Sequence, residues 1–185
     1  MNLRKYLCCP VCKDNLSDLF SHLFCNICEK EFIVKDGVPI FIDHSSLPFH
    51  LQGQITYFEN EKIVASEEYH LDPWQRKYVE RFLDNMPSVS GKLLVDCGTG
   101  SGYMAIELAK RGAYVIATDL SLRSVIRLRR IADDLGLADR VLSVCSTAEV
   151  LPIRTKCVSA LISNAVLEHI QDESLALSEI NRVSE

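Results

Sequence analysis

From Lys92 onward, short apolar runs alternate with stretches in which apolar residues recur every three or four positions. Leu93-Leu94-Val95 reads as a buried strand, Tyr103 to Arg111 as a helix closed by Gly112, and Ala113 to Thr118 as a second strand. Ser121 to Leu135 has the period of an amphipathic helix, with Ser121 placed to cap it and Gly136 to end it. Val141 to Cys145 and Val158 to Ser163 supply a third and a fourth strand, and Asp172 to Val183 a last helix. Strand and helix alternating at this spacing predict an α/β fold, a parallel sheet with both faces covered.

Upstream the pattern differs. Between Glu67 and Met86 the apolar residues Tyr69, Leu71, Trp74, Tyr78, Val79, Phe82 and Leu83 fall at helical spacing, with Pro73 suited to a first turn. Pro87 and Gly91 then break the period. The first 44 residues hold only short strand-like runs (Leu23-Phe24, Phe32 to Val34, Val38 to Ile42) around an Asp36-Gly37 turn. Three regions result: 1–44, a helical connecting segment at 45–90, and 91–185.

A chain of 185 residues holds one ordinary domain, or a small module beside a medium one. Its net charge of −5 argues against a broadly basic, nucleic-acid-binding surface. No apolar run approaches the ~18 residues of a membrane span, and the start lacks a signal-peptide core, so a cytoplasmic chain without membrane contact is expected. In that reducing setting the eight cysteines are read first as metal ligands or core residues. Cys97, Cys145 and Cys157, in or beside the strand runs, are expected to pack as small hydrophobes.

The other five crowd the amino terminus. Cys9-Pro10-Val11-Cys12 and Cys25-Asn26-Ile27-Cys28 are two C-x2-C pairs twelve residues apart. Each knuckle sets two sulfurs on one side of a tight turn, and together they form the tetrahedron that Zn²⁺ accepts. Cys8 is the spare. A site closed by Cys9, Cys12, Cys25 and Cys28 is expected to be structural, and a module of roughly forty residues needs such a staple. From Met1 to Asp43 five Lys/Arg face six Asp/Glu, so direct phosphate binding by this module is not expected. The run from Cys25 to Phe41 resembles the small zinc-ribbon activator subunits of tRNA and protein methyltransferases, and ribbons at the front of some bacterial and archaeal methyltransferases. That resemblance implies a protein-facing or substrate-guiding role.

Val95-Asp96-Cys97-Gly98-Thr99-Gly100-Ser101-Gly102 follows the first strand and opens a helix. Glycines let such a loop turn sharply and lie against a ligand. A dinucleotide fingerprint starting at Gly98 needs glycine at position 103, where Tyr103 stands. D-x-G-x-G-x-G instead resembles the first motif of the class I S-adenosylmethionine-dependent methyltransferases (type 11-like). The resemblance implies a Rossmann-like sheet in which Asp96 orders the loop and holds the methionine amine. It also implies that Gly98, Gly100 and Gly102 approach the methionyl and ribose parts of the cofactor. Asp119, which ends the second strand, can accept both ribose hydroxyls. Ala148-Glu149-Val150-Leu151-Pro152-Ile153 resembles the family's adenine-side segment. Thr147 stands where the family carries an acidic residue, and its hydroxyl accepts more weakly than a carboxylate. Ile162 to Ile170 resembles the stretch after the fourth strand, which implies that Asn164 lies near the sulfonium.

Glu168 and His169 are candidate bases, set against their reading as residues that cap or pair at a helix start. Methyl transfer to an activated acceptor depends on positioning more than on proton removal, so no catalytic residue is assigned. Arg123, Arg127 and Arg130, with the i,i+4 pairs Arg129–Asp133 and Arg130–Asp134, read as a solvated helix face. Tyr57, Phe58, Tyr69, Trp74 and Tyr78 read as a lid or as packing against the sheet. The family sheet has seven strands in the order 3-2-1-4-5-7-6, of which this sequence supplies four. The expectation is therefore the cofactor-binding half of a longer protein, its fourth strand an edge open to a partner or a second copy. Two functions follow: a methyltransferase whose acceptor is a small molecule, RNA or protein, or a non-catalytic adaptor that binds and activates a partner enzyme.

Overall fold

The computed structural model describes residues 2–19, 21–43, 45, 47–59 and 68–185. A 3-10 turn, Leu3–Tyr6, leads into four antiparallel strands lying side by side in chain order. These are β1 (Leu16–Asp18), β2 (His22–Cys25), β3 (Glu31–Lys35) and β4 (Val38–Pro39). Asp36 and Gly37 both adopt positive φ between β3 and β4, as a two-residue hairpin requires. β1 had no signal of its own, because one leucine in three residues sets no period.

Among the described residues two helices follow, α1 (Phe49–Glu59) and α2 (Pro73–Asp84). The expected start of the second, Glu67, lies outside the described residues, and the helix begins at Pro73. Asp72 decides this. Its carboxylate accepts from the Gln75 N–H at 2.8 Å, and the Gln75 side chain accepts from the Asp72 N–H at 3.2 Å, a reciprocal cap that fixes the first turn. Tyr69 and Leu71 therefore precede the helix instead of sharing its face.

The central sheet holds β5 (Leu93–Cys97), β6 (Tyr114–Asp119), β7 (Val141–Cys145) and β8 (Ala160–Ser163), all parallel, in the spatial order β7-β6-β5-β8. In order of appearance this is 3-2-1-4, as expected. Between them run α3 (Tyr103–Lys110) and α4 (Leu122–Asp134), and α5 (Glu173–Val183) follows β8. Ser121 caps α4 by accepting from the Ser124 N–H at 3.0 Å. Every residue of β5 and β7 is buried, as strands covered on both faces require.

The two covers differ. On one face Leu94, Val115 and Val141 pack with Met104 and Leu108 of α3, Leu128 and Ile131 of α4, and Val79 and Leu83 of α2. On the other, Leu93, Val95, Ile116 and Leu142 pack with Leu3, Leu7 and Leu23 from the amino-terminal unit, Leu151 and Ile153 from the segment after β7, and Val183 of α5. The cysteine-rich unit is thus a layer of the main core. It also closes one sheet edge: beyond β4, the Phe41 N–H donates to the Cys145 carbonyl at 2.9 Å. β8 ends the sheet on the other side. Among the described residues no helix is long and apolar enough to cross a membrane.

Candidate functional site

The carboxyl ends of the four parallel strands open on a cavity of about 450 Å³. The chain runs outward from β5 through β6 to β7 and returns to β8 on the far side, and such a reversal leaves a crevice at the strand ends. The volume falls within the ~300–1,000 Å³ of small-molecule sites. Leu51, Gln54 and Ile55 of α1 and Gln75 of α2 also line it.

The loop after β5 is shaped by close approaches. At Gly98 (φ +73°) an added Cβ would stand 2.3 Å from Val166 Cγ2, so only glycine fits. At Gly100 (φ +52°) nothing lies within 4 Å of such an atom, and this part of the loop borders the cavity. Gly102, expected at the cofactor, is off the cavity wall; it leaves room for Leu128 of α4 instead. The Gly98 and Thr99 N–H groups both donate to the Thr118 carbonyl, at 2.8 and 2.9 Å, which ties the loop to β6.

Of the three carboxylates that line the cavity among the described residues, Asp96, Asp119 and Glu149, the first two are held by the glycine loop. Asp96 is buried and accepts from Thr99 Oγ1 at 2.6 Å. Burial pushes its carboxyl up to about 6; the Thr99 hydroxyl opposes the shift and the nearby Asp119 charge adds to it. Asp119 accepts from the Ser121 N–H on Oδ1 at 2.9 Å and from the Gly100 N–H on Oδ2 at 2.8 Å. Both oxygens are thus oriented by backbone N–H groups, on a residue that lines the cavity. Ser121 caps α4, so Asp119 is not needed there.

Ser146, Ala148 and Glu149 line the cavity beside Asp119, while Thr147 stands off its wall. Asn164 is on the wall and linked to two tyrosines, the lid-or-packing candidate Tyr78 and Tyr103, which the sequence did not place at the site: Tyr78 Oη donates to Asn164 Oδ1 at 2.9 Å, and Asn164 Nδ2 donates to Tyr103 Oη at 3.1 Å. This chain joins α2, the end of β8 and the start of α3. Tyr103 had figured only as the residue that breaks the dinucleotide pattern. Of the other aromatic residues, Trp74 stacks on Tyr78 but is largely exposed, as is Tyr57, and Tyr69 donates to Glu107 at 2.9 Å. The Phe58 side chain lies outside the described set. Glu168 and His169, in one 3-10 turn, are both exposed, and of the two only His169 lines the cavity. Arg129 pairs with Asp133 at 3.0 Å, as spaced. Arg127 departs from the solvated-face reading, since it is half-buried and donates to the Ser101 carbonyl of the glycine loop at 2.9 Å.

The Sγ atoms of Cys9, Cys12, Cys25 and Cys28 all lie within 4.8 Å of one another. Separations of 3.4 Å (Cys9–Cys28), 3.4 Å (Cys12–Cys25) and 3.9 Å (Cys12–Cys28) bracket the ~3.8 Å sulfur–sulfur edge of a tetrahedron with ~2.3 Å metal bonds. Lys13 and Glu29, directly after each pair, share the same positive φ, so the two knuckles repeat one turn. Cys8 points to no metal; it is buried, and its N–H donates to the Pro152 carbonyl. Cys97 and Cys145 are buried, and Cys157 is half-buried, as small core residues would be.

Residues 95–185 match the model of the methyltransferase-domain family. The chain carries a class I methyltransferase domain. The matched segment takes in Asp96, the glycine loop, Asp119 and Asn164, and leaves out the cysteine cluster, α1 and α2. The tRNA 5-carboxymethoxyuridine methyltransferase of Escherichia coli (strain K12) is 32% identical over 80 residues, 43% of this chain and 31% of that protein. The malonyl-[acyl-carrier protein] O-methyltransferase of Pectobacterium atrosepticum is 32% identical over 110 residues, 60% of this chain and 41% of that protein. The chain spans less than half the length of either. Among solved structures, geranyl diphosphate C-methyltransferase from Streptomyces coelicolor A3(2), in complex with Mg²⁺, geranyl diphosphate and S-adenosyl-L-homocysteine, is similar with a TM-score of 0.64 and 20% identity. The match covers 75% of this chain and 61% of that one. The [4+2]-cyclase SpnF is similar with a TM-score of 0.61 and 21% identity, over 74% of this chain and 55% of that one. At these identities the likeness shows that the methyltransferase domain has the Rossmann-like fold.

Proposed function

We propose that the protein transfers a methyl group from S-adenosylmethionine to a small-molecule, RNA or protein acceptor, and that residues 1–44 form a zinc ribbon with a structural metal. The observation that carries the first part is Asp119. Its carboxylate borders the cavity, held by the Gly100 and Ser121 N–H groups, where two adjacent hydroxyls of a ribose can each find an oxygen. Open space above Gly100 suits a ligand lying along the loop. On this reading the base lies toward Ser146, Ala148 and Glu149, and the amino-acid end toward Asp96, Gly98 and Asn164. Gly102 and Thr147 support the wall from behind. The bound cofactor would supply an electrophilic methyl on a sulfonium. Asp96 would hold the amine, Asn164 would be fixed by Tyr78 and Tyr103, and the α1 residues Leu51 and Ile55 would exclude water, which gives segment 45–90 the role of a lid over unit 91–185. A thiolate-ligated zinc suits the reducing cytoplasm.

A thermal-shift panel tests the cofactor class. S-adenosylmethionine and S-adenosylhomocysteine are expected to raise the melting temperature by several degrees, and NAD⁺ to leave it unchanged; the reverse order would reject the assignment.

Asp96 makes the binding pH-dependent. Its raised pKa means that the unliganded fold favours the protonated carboxyl and loses stability as pH rises from about 4 through about 6. An ammonium group bound there competes with that proton. Affinity for S-adenosylmethionine is therefore expected to be level above pH 7 and to weaken progressively below about 6. Asp96→Asn is expected to lose that pH dependence, bind at least about tenfold more weakly at pH 7.5, and melt no lower than wild type. Calorimetric titrations across pH 5 to 8 check all three.

The non-catalytic adaptor is the second reading. Thr147 favours it, since it stands where the family carries an acidic residue and lies off the cavity wall, and fold alone does not fix activity. An adaptor would bind its partner equally well after Asp119→Ala.

A further inference from the structure

We infer that the ribbon braces the loop on the base side of the cofactor site, so that metal occupancy and cofactor affinity are linked. This rests on the two sites proposed above. The stretch from Ser146 to Ser159 contains neither helix nor strand, so tertiary contacts alone hold it in place. Its first residues line the cavity, and its later ones are gripped by the ribbon.

One strut is backbone pairing. Leu7 bridges Ile153 antiparallel, the Cys8 N–H donates to the Pro152 carbonyl at 3.0 Å, and the Arg154 N–H donates to the Tyr6 carbonyl at 2.9 Å. The Arg154 side chain adds a bond from Nε to the Lys5 carbonyl at 2.7 Å. Cys9, a proposed ligand, is the next residue after Cys8. The second strut leaves the other end of the same knuckle. Lys13, directly after ligand Cys12, pairs with Glu179 Oε2 at 2.8 Å, and that oxygen also accepts from the Leu151 N–H at 2.8 Å. Arg182 pairs with Glu179 and donates to the Leu151 and Ile153 carbonyls at 2.9 and 2.7 Å. The first strut therefore runs from residues 5–8, which lead directly into ligand Cys9, the second from the neighbour of ligand Cys12, and both end on the loop that carries Ala148 and Glu149.

Without metal, the knuckle ends from which the struts start keep their own backbone bonds, Cys9 N–H to the Asp14 carbonyl at 2.8 Å and Lys13 N–H to the Cys9 carbonyl at 2.9 Å, but lose the link that ties them to the second knuckle. The loop then samples other positions, and the cofactor meets a smaller binding-competent fraction, which weakens its apparent affinity by that fraction. Linkage is reciprocal, so bound cofactor must raise metal retention by the same factor.

The test titrates S-adenosylhomocysteine into the full chain with zinc loaded and with zinc stripped, and measures zinc transfer to a chromogenic chelator with and without S-adenosylhomocysteine. Affinity is expected to fall by about fivefold or more on stripping, and the ligand to shift the zinc-transfer equilibrium by a matching factor. Because the stripped chain can unfold, a variant that keeps all four cysteines is decisive. Lys13→Ala with Arg154→Ala is expected to hold one zinc, bind S-adenosylhomocysteine about fivefold more weakly, and exchange amide hydrogens faster over residues 146–155. Lys13→Arg alone is expected to behave as wild type. A double variant that binds zinc and S-adenosylhomocysteine with wild-type affinity and unchanged exchange overturns the linkage while both sites stand. A wild-type chain that binds no S-adenosylhomocysteine overturns the cofactor reading and the linkage with it. A chain that takes up no zinc does the same for the metal reading.

Discussion

Asp119→Ala is expected to weaken S-adenosylmethionine binding by about a hundredfold or more. A hydrogen bond to a charged group contributes ~1.5–3 kcal/mol, and a carboxylate that accepts both ribose hydroxyls makes two, so two decades is the low end. The same change takes away the acceptor of the Gly100 N–H, which loosens the loop over which the cofactor would lie. The fold should persist, because Ser121 caps α4 and the loop remains tied to β6 through the Thr118 carbonyl. Asp119→Asn keeps one acceptor oxygen and is expected to fall between the two. Calorimetry read beside circular dichroism checks this. A well-folded Asp119→Ala protein that binds as tightly as wild type would remove the ribose from this position.

Removing the metal is expected to unfold far more than the first forty residues. Leu3, Leu7 and Leu23 share one buried cluster with Leu93, Val95 and Ile116 of the central sheet. Burying each leucine contributes ~1.5–3 kcal/mol, so losing three costs on the order of 5–9 kcal/mol, comparable with the whole stability of a domain. Strong chelation, or Cys25→Ser, should therefore lower a single melting transition by more than about 10 °C. Differential scanning calorimetry distinguishes this from the alternative, in which the ribbon melts early and a second transition stays in place. Two independent transitions would contradict the shared core.

The parallel sheet was legible in the sequence because each strand is an apolar run and each helix has its own punctuation. Ser121 and Gly136 frame α4, and Pro73 marks the first turn of α2. Both C-x2-C pairs were equally plain, since the turn chemistry sits within four residues. What the sequence concealed is what depends on distant packing. Leu3, Leu7 and Leu23 carry no mark that says they cover β5 and β6 instead of a small core of their own. Tyr78 and Tyr103 lie on separate helices and meet only through Asn164, so no local period connects them. Arg127 looked like part of a solvated stripe because spacing cannot reveal that the glycine loop folds back over it. Gly102 and Thr147 fit a motif by position, yet Gly102 leaves room for Leu128 and neither residue lines the cavity.

The central claim is that this cavity holds S-adenosylmethionine, and a calorimetric titration of the zinc-loaded full chain at pH 7.5 tests it most directly. A single site with stoichiometry near one and micromolar affinity, competed by S-adenosylhomocysteine, is the predicted result. A folded, zinc-replete protein that gives no binding heat and no competition would contradict it.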